Sequence, residues 1–370
     1  MSHHPFEQDT TFAQIGNHKT EPLKAVSTPI YLSTSYRHEK IGHGNGYDYT
    51  RTGNPTRDVL EDAMARSEHG DRAFATSSGM SAIQLVFSLL AAGDHIVTCR
   101  DVYGGSYRYF AMLEEKQGFQ FSYWNGQDAD KLADYIQDNT KAIFIETPTN
   151  PLMTNIDMAA VSRIAKEHNL LFIVDNTVYT PFLQQPINEG ADIVIHSATK
   201  YLAGHNDVLA GAVVAKGNKL CEELAYIHNS TGSTLAPFDC WLLMRGMKTL
   251  PLRMRQHEYN AKCVKAFLES QPLVNQVLYP GKGGMLSFYL NDETYVEPFL
   301  KALNLFTFAE SLGGVESLIT YPATQTHADI PEAVRHSYGL TNELIRLSVG
   351  IEHADDLILD LEHGLAAVAK

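Results

Sequence analysis

The sequence predicts an α/β protein: a large domain with a mostly parallel sheet flanked by helices, then a smaller C-terminal α+β domain. Three observations carry this prediction. "KAIFIET", "LLFIVDN", "ADIVIHS" and "GAVVAK" are nearly unbroken apolar runs of strand length, as strands buried on both faces require. Amphipathic stretches such as "MAAVSRIAKEHN" separate them. The 370 residues are too many for one ordinary core and suit a large domain plus a smaller one.

Residues 1–57 show little periodicity. Within them, "HEKIGHGNGYDYTRTGNPTR" reads as an extended arm or loop. Gly42, Gly44 and Gly46 lie there, but no strand precedes them and no helix follows, so they do not form a dinucleotide fingerprint. A nucleotide-binding oxidoreductase would need that Gly-rich turn. Regular patterning starts near Asp58. In "SSGMSAIQLVFSLLAAGD", Ile83, Val86, Phe87 and Leu90 share a helical face, with Ser77 or Ser78 as N-cap and Gly93 as stop. "HIVTC" follows as a short strand, and the four apolar strands come after it. "NSTGSTLAPFD" reads as a linker. The next thirty-odd residues are helical in character, with Pro251 expected to bend or interrupt them. "GGMLSFYL", "ESLITYP" and "LIRLSVG" are strand-like, and "ADDLILDLEHGLAAVA" is a last helix. The expected organisation is an arm (1–57), a large domain (58–235) and a small domain (236–370).

Composition narrows the function. The chain is 44% apolar and 19% charged, with a net charge of −14, which disfavours a nucleic-acid partner. An anionic substrate would therefore need individual Arg or Lys residues. The four cysteines form no CxxC pair, so neither a zinc site nor a disulfide framework is expected, and the thiols read as buried and free. "MSHHPFEQDTTFAQIGN" lacks the apolar core of a signal peptide, and no apolar run reaches the length of a membrane span. A cytoplasmic protein is expected.

In such sheets ligands bind beyond the carboxyl ends of strands, and four ends carry unusual residues. "IFIETPTNP" brings Glu146 and Asn150, "LLFIVDNT" brings Asp175, and "IVIHSATK" brings His196, Ser197, Thr199 and Lys200. "SSGM" opens a helix after "RAFAT". Singly, each has a plain explanation as a cap, a turn or a surface charge. Together they suit one cofactor. A carboxylate can hold a protonated pyridine nitrogen, a lysine can form a Schiff base with an aldehyde, and hydroxyls with free N–H groups at a helix start can bind phosphate. That set matches pyridoxal phosphate. His205 and Asp207 have no third ligand at suitable spacing, so no metal is expected; His196 and His205 read as structural, and His327 as structural or substrate-proximal.

At these residues the chain resembles the Cys/Met-metabolism family of pyridoxal-phosphate enzymes, which have the fold type I architecture. "YDYTRTGNPTR", "SSGMSAI", "DVYGG", "ETPTNP", "VDNT", "HSATKYLAGHND", "SLGGVESL" and "LIRLSVGIE" carry the resemblance, in family order and along nearly the whole chain. It implies that Lys200 is the Schiff-base and proton-transfer residue and that Asp175 binds the ring nitrogen. Ser197, Thr199 and the backbone of Gly79 and Met80 would bind phosphate. Tyr103 would stack on the ring and shuttle protons, with Asn150 near the ring's phenolic oxygen. Tyr49 and Arg51 would reach the neighbouring subunit's phosphate, so the smallest active unit is a dimer, and a tetramer of two such dimers is expected. In "LIRLSVG", Arg346 alternates with apolar neighbours and can face a pocket while they fill a core. The resemblance makes it the substrate-carboxylate ligand, assisted by Ser317, with Glu316 favouring chemistry at the γ-carbon.

The short join between "YPG" and "GGM", bridged by Lys282 and Gly283, with "ITYPATQTH", resembles synthases that use O-acetylhomoserine. The implied reaction is of the cystathionine γ-synthase type, O-acyl-homoserine plus cysteine giving cystathionine. Cystathionine γ-lyase, β-lyase and O-acetylhomoserine sulfhydrylase activities stay open. A non-catalytic binding relative would be expected to have lost Lys200 or Asp175, and both are present.

Overall fold

A computed structural model describes residues 6–17 and 24–368; residues 1–5 of the polar N-terminal stretch, 18–23 of the arm and 369–370 lie outside the described residues. The strands are β1 (Arg72–Thr76), β2 (His95–Cys99), β3 (Gln120–Trp124), β4 (Thr140–Glu146), β5 (Leu171–Asp175), β6 (Ile193–His196), β7 (Gly211–Ala215), β8 (Val274–Leu278), β9 (Met285–Leu290), β10 (Thr307–Phe308), β11 (Leu318–Thr320) and β12 (Leu344–Ser348). The helices are α1 (Gln8–Ala13), α2 (Pro55–Glu68), α3 (Gly79–Phe87), α4 (Gly104–Gln117), α5 (Met158–Glu167), α6 (Thr180–Leu183), α7 (Asn218–Thr231), α8 (Pro237–Met247), α9 (Leu250–Glu269), α10 (Val296–Ala302), α11 (Glu332–Ser337) and α12 (Ala354–Val368). They fall into two compact units: residues 1–91 with 180–251, and residues 92–179 with 252–370.

In the first unit β7 pairs antiparallel with both β1 and β6. All five residues of β7 are buried, as the apolar run "GAVVA" demands. The arm ends in a strong helix start: the Asn54 side chain accepts the N–H groups of Thr56 and Arg57, and Pro55 fills the first turn, where its missing N–H costs nothing. α2 buries Val59, Leu60, Ala63 and Met64. α3 opens on the predicted cap, with the Ser78 side chain accepting the Ser81 N–H. It ends at Phe87, short of the predicted stop at Gly93. The expected linker is mostly helical: α7 runs through Thr231 and α8 starts at Pro237, leaving Gly232–Ala236 between them. Pro251 interrupts the next stretch as expected, since α9 starts at Leu250 and puts the proline in its first turn.

The second unit holds parallel strands in the order β5, β4, β2, β3. It also holds β10, β11, β12, β9 and β8, antiparallel except for the β10–β11 pair. Ile345, Leu347 and Val349 join Leu286, Phe288, Phe299 and Leu361 in one apolar core. Cys99, Cys221 and Cys240 are buried and Cys263 is half-buried; all four thiols are free. No helix among the described residues is long and apolar enough to cross a membrane.

Candidate active site

In the first unit the lysine loop is held from both sides. The Glu68 carboxylate, on α2, lies 2.6 Å from His196 Nε2 at the end of β6, and both side chains are fully buried. The Thr199 hydroxyl donates to the Ala210 carbonyl at 3.0 Å and accepts the Ala210 N–H at 3.0 Å. The Lys200 N–H reaches the Ser197 carbonyl at 3.2 Å, and the Gly204 N–H reaches the Lys200 carbonyl at 2.8 Å. Lys200, Ser197 and Thr199 are half-buried on this pinned turn. His205 Nδ1 lies 2.7 Å from the Ala203 carbonyl. The predicted structural roles of His196 and His205 fit these contacts.

Ser197 sits against the start of α3. A Cβ built on Gly79 would lie 2.7 Å from Ser197 Cβ and 2.9 Å from its Oγ. A helix start offers unpaired N–H groups and a partial positive charge. Gly79 therefore keeps a cradle open in which N–H groups and the Ser197 hydroxyl converge, and an anion such as the phosphate of pyridoxal phosphate fits that donor set. Gly79→Ala is expected to weaken pyridoxal phosphate binding by roughly tenfold or more, measured by titrating the apo form with the cofactor. An unchanged affinity would mean that the cradle does not carry the phosphate.

Tyr49 and Arg51 are exposed, and the Arg51 guanidinium lies 5.7 Å from the centroid of the Tyr49 ring. Within its own chain, Arg51 Nη1 donates to the Asn229 carbonyl and to Asn229 Oδ1 at 2.6 Å.

The second unit gathers the remaining candidates. Asp175 ends β5 and pairs in register with Glu146, the end of β4. Its Oδ1 accepts the Thr177 N–H at 2.9 Å. Burial and then the adjacent Asp175 push the Glu146 carboxyl well above the ordinary carboxylate range. Glu146 Oε2 accepts the Tyr103 N–H at 2.9 Å. The "GG" after Tyr103 is explained by close approach: a Cβ on Gly105 would lie 2.4 Å from the Tyr103 ring, and one on Gly104 2.0 Å from the Thr326 carbonyl. Burial raises the Tyr103 phenol, which stays protonated at neutral pH.

Arg346 is 2% exposed in β12, on the strand face opposite the core residues, as its alternation predicts. Nη1 donates to Asn150 Oδ1 at 2.9 Å; Nη2 donates to the Ser311 carbonyl at 2.9 Å and to Thr320 Oγ1 at 3.0 Å. Asn150 and Arg346 are thus brought together. The Ser317 hydroxyl donates to Glu352 at 2.9 Å and accepts the Gly350 N–H at 2.8 Å. Glu316, beside it, is exposed. Two supporting residues escaped the sequence reading. Asp101 of "DVYGG" accepts the Leu152 N–H at 3.1 Å, tying the Asn150 loop to the end of β2. Glu352 holds the Ser317 N–H at 2.6 Å. Both are polar residues next to recognised motifs, and only the tertiary contacts reveal their partners.

His327 is fully buried, with Nδ1 2.8 Å from Thr326 Oγ1. Burial and then the Arg346 charge push its imidazole down to about 4. The folded state therefore holds His327 neutral where the unfolded chain would protonate it, so its contribution to stability is present above pH 6.5 and is lost as pH falls toward 4. The stability of the protein relative to His327→Asn should drop by about 1.4 kcal/mol per pH unit in that window. Parallel denaturant titrations check this; a pH-independent difference would contradict it. No cluster of three or more His, Cys, Asp and Glu residues that could hold a metal occurs among the described residues.

Comparison with known proteins agrees with this geometry. The family model for Cys/Met metabolism PLP-dependent enzymes matches residues 9–366. A Bacillus subtilis protein named cystathionine γ-synthase/O-acetylhomoserine (thiol)-lyase is 58% identical over 362 residues, covering 98% of this chain and 97% of its own. A Haemophilus influenzae cystathionine γ-synthase is 55% identical, covering 97% of each chain. The crystal structure of cystathionine γ-lyase from Lactobacillus plantarum, complexed with L-serine, superposes with a TM-score of 0.96 at 44% identity, covering 98% of this chain and all of that one. The chain belongs to the Cys/Met-metabolism family of pyridoxal-phosphate-dependent enzymes.

Proposed function

We propose that this enzyme performs γ-replacement of the cystathionine γ-synthase type. The thiol of cysteine displaces the carboxylate from the γ-carbon of an O-acyl-homoserine, giving cystathionine and the free carboxylic acid. The near-full-length identity to relatives named for this activity carries the reading. The buried, forked Arg346 beside Asn150 supports an amino-acid substrate. When bound, pyridoxal phosphate supplies the electron sink that makes the substrate's α-proton removable.

Asp175 would hold the ring nitrogen and Lys200 would bind the aldehyde carbon. Ser197, Thr199 and the N–H groups of Gly79 and Met80 hold the phosphate. Lys200 then moves the α- and β-protons, which needs its Nζ unprotonated. Tyr103 would stack on the ring, and its phenol would pass a proton. Asn150 sets the position of the Arg346 fork, which takes the substrate's α-carboxylate. Ser317 would assist at the substrate carboxylate, held through Glu352, and Glu316 would favour chemistry at the γ-carbon. Tyr49 and Arg51 serve the phosphate of a neighbouring subunit, in a tetramer of two dimers working in the cytoplasm. Residues 1–57 form the interacting arm, 58–235 the cofactor-binding domain and 236–370 the smaller domain.

The test is product analysis by mass spectrometry. O-Acetylhomoserine with cysteine should yield cystathionine and acetate. γ-Lyase activity is the second reading, favoured by the structural likeness to a γ-lyase. It predicts cysteine, 2-oxobutyrate and ammonia from cystathionine and water. Turnover of cystathionine alone, with none formed from O-acetylhomoserine, would replace the first reading by the second.

A further inference from the structure

Glu146 stands out among the strand-end residues because the chemistry above gives it no part. It is 5% exposed and ends β4 in register with Asp175 at the end of β5. Its backbone is tied to β2 by the Glu146 N–H, which reaches Cys99 Sγ at 3.3 Å. Its Oε2 accepts the N–H of Tyr103, the residue just before the first turn of α4. That acceptance matters because Tyr103 is the cap residue of α4, whose N–H has no partner within the helix, and Glu146 supplies one. Tyr103 is 40% exposed, so beyond its close contact with Gly105 its ring is left partly open. Glu146 is the side chain that joins the corner to the strand end carrying the ring-nitrogen carboxylate.

We propose that Glu146 is a positioning residue for the cofactor ring: its carboxyl fixes the Tyr103 backbone and so holds the Tyr103 ring in register with Asp175. The inference rests on the proposed roles of Asp175 and Tyr103. Glu146 touches neither substrate nor reacting atoms. Burial and the neighbouring Asp175 both push its carboxyl up, so a negative charge is disfavoured here and an amide should replace it well: the amide oxygen of glutamine can accept the same N–H.

The experiment compares the wild type with Glu146→Gln, Glu146→Asp and Glu146→Ala. The readouts are the pyridoxal phosphate dissociation constant and the circular dichroism of the cofactor absorbance band, which reports how the ring is held. Glu146→Gln should stay within about threefold of wild type in affinity and keep its band. Glu146→Asp, one methylene short, and Glu146→Ala should bind roughly tenfold more weakly and lose much of the band, the loss expected for one buried hydrogen bond. If Ala fails to fold, the contrast between Asp and Gln decides. Equal behaviour of Asp and Gln, or an unchanged band in Ala, would overturn the proposal. A wild type that binds no pyridoxal phosphate would instead overturn the cofactor assignment on which it rests.

Discussion

Lys200→Ala is expected to lower kcat/KM by roughly 10³-fold or more, because in the proposed function one side chain would serve as both nucleophile toward the cofactor and base toward the substrate. The loss should come with little change in folding. Lys200 sits in a turn closed by backbone bonds from Lys200 to Ser197 and from Gly204 to Lys200, and neither needs the side chain. Thr199 and His196 anchor the turn on either side through contacts that the substitution leaves intact. The proposed phosphate cradle at Gly79 and Ser197 is also left intact, so the variant should still bind the cofactor, but with a shifted absorbance band. Lys200→Arg should be as inactive as Lys200→Ala, since a guanidinium does not give up its proton near neutral pH. A variant that retained more than a tenth of the activity would remove Lys200 from the chemistry.

The second large effect is expected at Arg346. Its guanidinium is almost fully buried and spends its bonds on Asn150, Ser311 and Thr320, which fix the plane of the fork. Lysine keeps the charge but has no fork, so Arg346→Lys should raise KM for the amino-acid substrate by roughly 30-fold or more and change kcat much less. Cofactor affinity should stay within a few-fold. A substrate whose α-carboxylate is replaced by an amide supplies the control: wild type should lose about as much on the amide as Arg346→Lys loses on the acid, and the two losses should not add. Full additivity would mean that Arg346 meets some other part of the substrate.

Much of this was readable from the residues alone, because the decisive signals are local. Apolar runs bounded by polar strand ends gave the strands that carry Glu146, Asp175 and His196. Ser78 marked the start of α3. The alternation around Arg346 gave its orientation, since Ile345 and Leu347 join the apolar core. The misses are of two kinds. Helix ends were misplaced where packing, not a terminator, decides: α3 stops before Gly93, and α7 extends into a Ser/Thr/Gly-rich run that propensity assigns to a linker. Long-range partners were invisible: the bond from Asn150 to Arg346 spans 196 positions, and nothing in either motif announces the other. The partners of Ser317 were equally hidden: its hydroxyl bonds to Glu352 and Gly350, both more than thirty positions away.

The most direct test of Lys200 as the cofactor-bearing residue is chemical. The protein, loaded with pyridoxal phosphate, is reduced with borohydride, digested and mapped by mass spectrometry. The pyridoxyl phosphate mass is predicted on the peptide containing "HSATKYLAGHND", at Lys200, and it should be absent from Lys200→Ala treated in parallel. A label on a different lysine, or no label on the loaded wild type, would contradict that assignment.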